Sequence, residues 1–161
     1  MSGGLLAASV LCAAIGLALA FSASTRALSL GLAAAAAGVI GGAFTEPGPE
    51  LRTWIGSAGW VLVLVSALCV HLPRRLGVAA AVALGLVGGG LAGSITGGGG
   101  EWKALAQALP WTLLAIPGAW LVARRRGLIV KIVLSWLGAA AALSLGLNMT
   151  PTLGFEPDHM G

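Results

Sequence analysis

The side chains that could bind a ligand gather at the C-terminal end of the chain. His159 stands between Asp158 and Met160, and Met149 precedes this group. Imidazole, thioether and carboxylate groups together suit a soft or borderline cation such as copper. Asp158, His159 and Met160 belong to a polar tail, residues 150–161, whose sequence implies no preformed geometry. We therefore predict no metal site, and keep metal handling by the tail as the third of three functional hypotheses.

The rest of the chain lacks the residues that usually carry out catalysis. Every Asp and Glu lies outside the long apolar runs, which removes the carboxylate relay of proton-coupled pumps. The loops that carry Arg26, Arg74 and Arg124 contain no acid to hold Mg²⁺ for phosphate chemistry. No Ser/His/Asp or Cys/His set can converge on one face. The sequence predicts a protein that is not an enzyme and uses no cofactor.

The composition requires that most of the chain lies in lipid. Of 161 residues, 58% are hydrophobic and 9% are charged, and the mean hydropathy is +0.97. Soluble domains carry about 25% charged residues, and a run of about 20 apolar residues can cross a bilayer as a helix. Uninterrupted apolar runs also exclude the alternating strands of a membrane barrel.

Six apolar runs predict an all-α membrane protein, a six-helix bundle of three hairpins. The bundle takes up residues 1–149 and leaves the short tail 150–161 extended outside it. The six predicted spans are Leu5–Ser22, Ala27–Phe44, Trp54–Leu72, Leu76–Ile95, Leu105–Ala123 and Gly127–Leu147.

The charged residues are sorted by sign between the two ends of the predicted helices. One end carries only basic residues, at Arg26, Arg74–Arg75 and Arg124–Arg126, whereas the other carries all five acidic residues. Because cytoplasmic loops are enriched in Lys and Arg, both termini should lie outside a bacterial-type inner membrane. The basic isoelectric point then reflects topology, and no nucleic-acid partner is implied. A cleaved signal peptide is the competing interpretation, but the N-terminal segment lacks a positive side chain.

Small residues at helical spacing predict close helix packing. In lipid, helices attract each other where small residues let the backbones approach. We expect the first, second, fourth and sixth helices to pack closely, with the third and fifth taking more of the lipid contact. The same faces could hold copies or partner subunits together. The predicted packing residues are Gly38, Gly42, Gly85, Gly89, Gly93, Gly97, Gly138 and Gly146.

Two prolines and one tryptophan mark special positions in the predicted helices. Pro110 and Pro117 interrupt the fifth helix, and the carbonyl groups that they free could serve a substrate if they line a cavity. Trp136 lies midway along the sixth helix, away from the membrane boundaries that most tryptophans prefer. We expect Trp136 to pack inside the bundle, because indoles bury a large area.

Two functional hypotheses are favoured over metal handling by the tail. The first is a transport or channel component that works in an oligomer, favoured by the glycine faces and the broken fifth helix. The second is a non-catalytic accessory or assembly subunit of a larger membrane complex, favoured by short loops and the lack of charge in the spans. The expected partners are the lipid bilayer and either copies of this chain or a larger membrane complex.

Overall fold

The computed structural model of the protein describes residues 3–72, 75–97 and 106–149. Within these ranges every regular element is a helix, and β-type pairing is confined to one isolated bridge between Ser22 and Leu76. The all-α prediction is confirmed. The elements are α1 (Gly3–Leu19), α2 (Thr25–Ala43), α3 (Pro49–His71), α4 (Val78–Gly97), a 3₁₀ segment (Leu109–Leu114), α5 (Ala115–Ala123) and α6 (Gly127–Met149).

Within the part of the chain that the structure describes, five helical stretches are long and apolar enough to cross a membrane. They are α2, α3, α4, α6 and the stretch Ala106–Ala123, which combines the 3₁₀ segment with α5. The apolar part of α1, Leu5–Leu19, is shorter. The 17 residues of α1 give a length of about 26 Å at 1.5 Å per residue, against about 30 Å of hydrocarbon. The chain is a multi-pass membrane protein, whereas the sixth crossing and the sides of the termini stay predictions.

Helix α1 is the core element of the bundle. Every residue from Leu11 to Ala20 is buried, and α1 contacts each of the other helices and the 3₁₀ segment. Alanines recur through this stretch, which also contains Gly16, so several neighbouring helices can approach it at once. A helix that is apolar on all sides is the kind that becomes fully surrounded.

The most extensive packing joins helices that are not adjacent in sequence. Helix α2 packs chiefly on α4, and α3 packs chiefly on α6. Gly38 faces Leu86 and Gly42 faces Gly90, so residue numbers rise together and α2 runs parallel to α4. The predicted hairpins describe the order of the chain, but the strongest contacts connect different hairpins.

Helix α6 is less enclosed than the sequence predicted. Only 22% of its span is buried, the same share as in the fifth helix, compared with 28% for α3 and 39% for α4. The prediction that α6 packs as closely as α2 and α4 is therefore wrong, whereas α3 and the fifth helix are less buried than α2 and α4, as the sequence predicted. One side of α6, with Val130, Leu134 and Ala141, reaches the core.

Trp136 also differs from its prediction. Its side chain is 77% exposed, so it does not pack inside the bundle. Successive helical residues are about 100° apart, which places Trp136 about 200° around the helix from the buried Leu134. The core side of α6 is therefore nearly opposite to the indole.

Candidate functional site

The closest backbone approach in the described chain lies between α2 and α4. We call Gly38, Gly42, Gly85, Gly89 and Gly93 the glycine seam. A Cβ atom added at Gly38 would lie 2.5 Å from the carbonyl oxygen of Leu86, and one added at Gly42 would meet the carbonyl oxygen of Gly90. No side chain larger than hydrogen fits at either position without moving the other helix.

The contact is reciprocal from the α4 side. Added Cβ atoms at Gly85, Gly89 and Gly93 would meet the carbonyl oxygens of Gly31, Ala35 and Val39, respectively. Such an approach brings Cα–H groups against carbonyl oxygens, a weak hydrogen bond that recurs at helix interfaces. Both helices thus contribute donors and acceptors from their backbones.

The sequence prediction did not include two residues of this contact, Gly31 and Ala35. Gly31 stands seven residues before Gly38, and a spacing of seven returns to the same helix face. That spacing was therefore a usable signal. An added Cβ at Gly31 would lie 2.7 Å from a side-chain methyl of Leu19, so this position also connects α2 to the central helix.

The remaining predicted packing glycines lie elsewhere. An added Cβ at Gly138 would lie 3.1 Å from the Cβ of Ala67 on α3, whereas one at Gly146 would meet nothing within 4 Å. Gly97 is the last residue of α4, and its surroundings lie outside the described part of the chain. Five of the eight predicted residues therefore come together at the seam.

The buried polar side chains are satisfied by their own helices. Ser66 donates to the Leu62 carbonyl at 2.8 Å, Thr96 to the Ala92 carbonyl at 3.1 Å, and Thr112 to the Leu109 carbonyl at 2.7 Å. Across the described ranges, no buried side-chain oxygen or nitrogen lacks a hydrogen-bond partner. Within the described ranges, the interior therefore presents no unpaired polar side chain that could bind a ligand.

The break in the fifth helix packs against the core. The 3₁₀ segment contains Pro110, and Pro117 lies in the first turn of α5. The buried Thr112 approaches α1 closely, since a Cβ added at Gly16 would lie 2.6 Å from its carbonyl oxygen. A pocket of about 360 Å³ lies beside the break, with Leu32 and Pro110 among its mostly apolar lining. Of the two prolines, Pro110 therefore borders this pocket, whereas Pro117 does not line it.

A second pocket, of about 540 Å³, lies at the end of the bundle that carries the arginines. We call it the basic pocket. Its polar lining consists of Ser22 before α2, Ser24 and Thr25 at the start of α2, and Arg75 and Arg125. Its apolar lining consists of Ala20, Ala23, Leu28, Ala119, Val122 and Ala123.

Backbone hydrogen bonds hold the loops around the basic pocket together. The N–H of Ala23 donates to the Leu76 carbonyl at 2.8 Å, and the N–H of Leu76 donates to the Phe21 carbonyl at 3.2 Å. This bridge places Arg75 beside the first turn of α2. The Ser24 side chain caps that turn by accepting from the N–H of Ala27 at 3.1 Å, as expected of a serine N-cap.

Arg125 reaches the pocket from an unusual backbone conformation. Its φ is 61°, in the left-handed region that favours glycine. The N–H of Arg125 donates to the Val122 carbonyl, and that of Arg126 donates to the Leu121 carbonyl. These two bonds form a Schellman motif at the end of α5, and the motif directs the chain into α6.

The predicted metal candidates do not form a described cluster. Met149 is the last residue of α6, while Asp158, His159 and Met160 lie outside the described residues. Within the described ranges, no three His, Cys, Asp or Glu residues are grouped so that they could hold a metal. The other histidine, His71, has its Nδ1 2.8 Å from the Ala67 carbonyl.

The fold and these sites define a helical, multi-pass membrane protein with a buried central helix. Comparison with protein-family models, curated proteins and solved structures gives no match to this chain. No family therefore supplies an activity or a partner.

Proposed function

We propose that the protein is a non-catalytic subunit of a larger membrane-protein assembly in a bacterial-type inner membrane. In this proposal it docks through the lipid-facing side of α6, and it binds no cofactor. The observation that carries the proposal is the position of Trp136. Helix α1 is apolar and buried, and the described buried polar side chains all have hydrogen-bond partners. Both features support a structural role in preference to a solute path through the monomer.

Trp136 lies deep in the predicted hydrocarbon region. It is nine residues from Gly127 and eleven from Leu147, the two ends of this span, or about 14 and 16 Å at 1.5 Å per residue. Tryptophan favours the membrane boundary, where its N–H can reach water or headgroups. A polar group without a partner in hydrocarbon is costly, and a partner protein that covers the indole would remove that cost.

Small residues beside Trp136 favour the approach of another helix. Ser135, Ala139, Ala142 and Gly146 are all exposed and recur at helical spacing. Such small residues allow two backbones to come close in a bilayer. Gly146 in particular has open space where a side chain would be, so a partner helix meets no obstacle there.

Purification in a mild detergent, followed by native mass spectrometry, tests the assembly. We expect a second membrane protein at fixed stoichiometry, and we expect Trp136→Ala to reduce its yield by about tenfold, as for an interface hot spot. Trp54→Ala is the matched control. Trp54 is 74% exposed, much like Trp136, but it lies near the end of the bundle that carries Glu46 and Glu50. A monomer in both mild detergent and lipid nanodiscs, or equal loss in both variants, would contradict the proposal.

A transport or channel component working as an oligomer is the second candidate function. The interrupted fifth helix favours it, because transporters often build their sites from broken helices. The test is solute flux into liposomes that contain only this chain. If the break serves transport, Pro110→Ala and Pro117→Ala should change flux while oligomer size stays constant. Flux that is absent, or unaffected by both substitutions, would count against this candidate.

A further inference from the structure

We propose that the basic pocket binds the phosphate group of an anionic phospholipid. Arg75 and Arg125 both line it, and the part of the chain that the structure describes gives neither of them a carboxylate partner. Guanidinium groups are the side chains best suited to phosphate oxygens, since they donate two parallel hydrogen bonds. Two such groups at one pocket favour an anionic occupant.

The start of α2 adds hydrogen-bond donors to the arginines. Helix geometry supplies no acceptor for the first N–H groups of a helix. The Ser24 side chain satisfies that of Ala27, and the Ser24 carbonyl accepts the first regular helical bond, from the N–H of Leu28. The N–H group of Thr25, the first residue of the helix, stays at the helix end, where the dipole of the 19-residue α2 also favours an anion.

The hydroxyl groups in the lining differ in their availability. Ser22 donates to the Leu19 carbonyl at 2.6 Å. Ser24 accepts from the N–H of Ala27, so its own hydrogen can turn toward the pocket. The Thr25 hydroxyl has no partner among the described residues, which makes it a third kind of donor beside the guanidinium and backbone groups.

The apolar wall identifies a lipid as the source of the phosphate. Ala119, Val122 and Ala123 belong to α5, within a stretch that can span a membrane, while Leu28 lies on α2 one turn from its start. The pocket therefore continues from a polar rim into apolar surface. A glycerophospholipid has the same sequence of groups, whereas free phosphate has no apolar part to occupy the wall.

Binding of defined lipids to the full chain in a neutral detergent tests the proposal, with native mass spectrometry as the readout. We expect phosphatidylglycerol to be retained and phosphatidylcholine, which has no net charge, to be lost. The double variant Arg75→Gln/Arg125→Gln should bind phosphatidylglycerol about 25-fold more weakly, since each basic residue near a headgroup contributes about fivefold.

Arg26→Gln/Arg124→Gln is the matched control, because it removes the same charge at the same end of the bundle. Neither Arg26 nor Arg124 lines the pocket, and the Arg124 guanidinium lies over the Trp120 ring at 4.4 Å. The control should bind phosphatidylglycerol within about twofold of the natural chain. Equal weakening of both double variants would show a diffuse charge effect and overturn the proposal.

Two further measurements separate the remaining outcomes. Inorganic phosphate in large excess should not displace the lipid, and displacement would overturn the lipid assignment in favour of a soluble phosphate ligand. If the double variant does not fold, Arg75→Gln alone should still weaken binding about fivefold, and unchanged binding would overturn the proposal.

Discussion

Neighbouring glycines on α4 differ in what an added methyl group would meet. At Gly89 it would collide with the Ala35 carbonyl across the glycine seam, whereas at Gly90 it would meet nothing within 4 Å. Gly89→Ala should therefore lower the free energy of unfolding by about 1–3 kcal/mol, the usual cost of overpacking. Gly90→Ala should leave it unchanged or raise it by up to about 1 kcal/mol through helix propensity. Unfolding in a neutral detergent compares the pair, and equal effects would contradict the close approach.

Arg125 allows a test of backbone strain at a single residue. A left-handed conformation costs an L-residue about 1–2 kcal/mol relative to glycine, so Arg125→Gly should raise stability by about 1 kcal/mol. Arg124→Gly is the control, since Arg124 has a φ of −84° and its replacement should lower stability. Thermal unfolding in detergent without anionic lipid measures both. A decrease for Arg125→Gly would show that the side chain contributes more to stability than the strain costs.

The sequence predicted the glycine seam but not the basic pocket, and the difference lies in how far apart the residues stand along the chain. Glycines four apart on α4 indicated a face without side chains, and the seam lies there. Arg75 and Arg125 are 50 positions apart in the sequence, so nothing local could show that they line one pocket. Their meeting depends on the bridge between Ser22 and Leu76 and on the left-handed turn at Arg125, which are properties of the folded chain.

At the scale of the element, α1 contributes most to the core although its apolar part, Leu5–Leu19, is shorter than the five stretches that are long enough to cross a membrane. Its composition of small and branched apolar residues resembles that of its neighbours, so hydropathy alone did not single it out. The difference arises from packing, because Leu11 and Ile15 are fully enclosed while Leu6 on the same helix is 54% exposed. Only contacts between helices distinguish these leucines.

Leu11→Ala and Leu6→Ala form a matched pair on α1. Lipid is as apolar as the bundle interior, so the cost of losing a buried side chain is chiefly the cavity that it leaves. We expect Leu11→Ala to lower the free energy of unfolding by about 2 kcal/mol, at the lower end of buried Leu→Ala changes. Leu6→Ala should change it by less than about 0.5 kcal/mol. Chemical unfolding in mixed micelles measures both, and a larger effect at Leu6 would contradict the central position of α1.

At the scale of the whole molecule, charge and packing carry different information. The sorting of basic and acidic residues predicts how the bundle sits across a bilayer, and hydropathy predicts helices that are long enough to cross it. Neither predicts which helices touch, because all the lipid-compatible faces are chemically alike. The parallel pairing of α2 with α4 depends on backbone shape at the seam, which the glycine spacing indicates for each helix separately but not for the pair.

Site-directed labelling tests the predicted orientation at two described loops. Ala23 lies between α1 and α2, and Glu46 lies between α2 and α3; both are exposed. In a chain whose Cys12 and Cys69 are replaced by Ala, we introduce either Ala23→Cys or Glu46→Cys. Because Arg-rich loops stay in the cytoplasm, a membrane-impermeant maleimide should label position 46 in intact spheroplasts, and position 23 only after permeabilisation. The reverse pattern would invert the topology, and labelling of both in intact cells would show that α2 does not cross the bilayer.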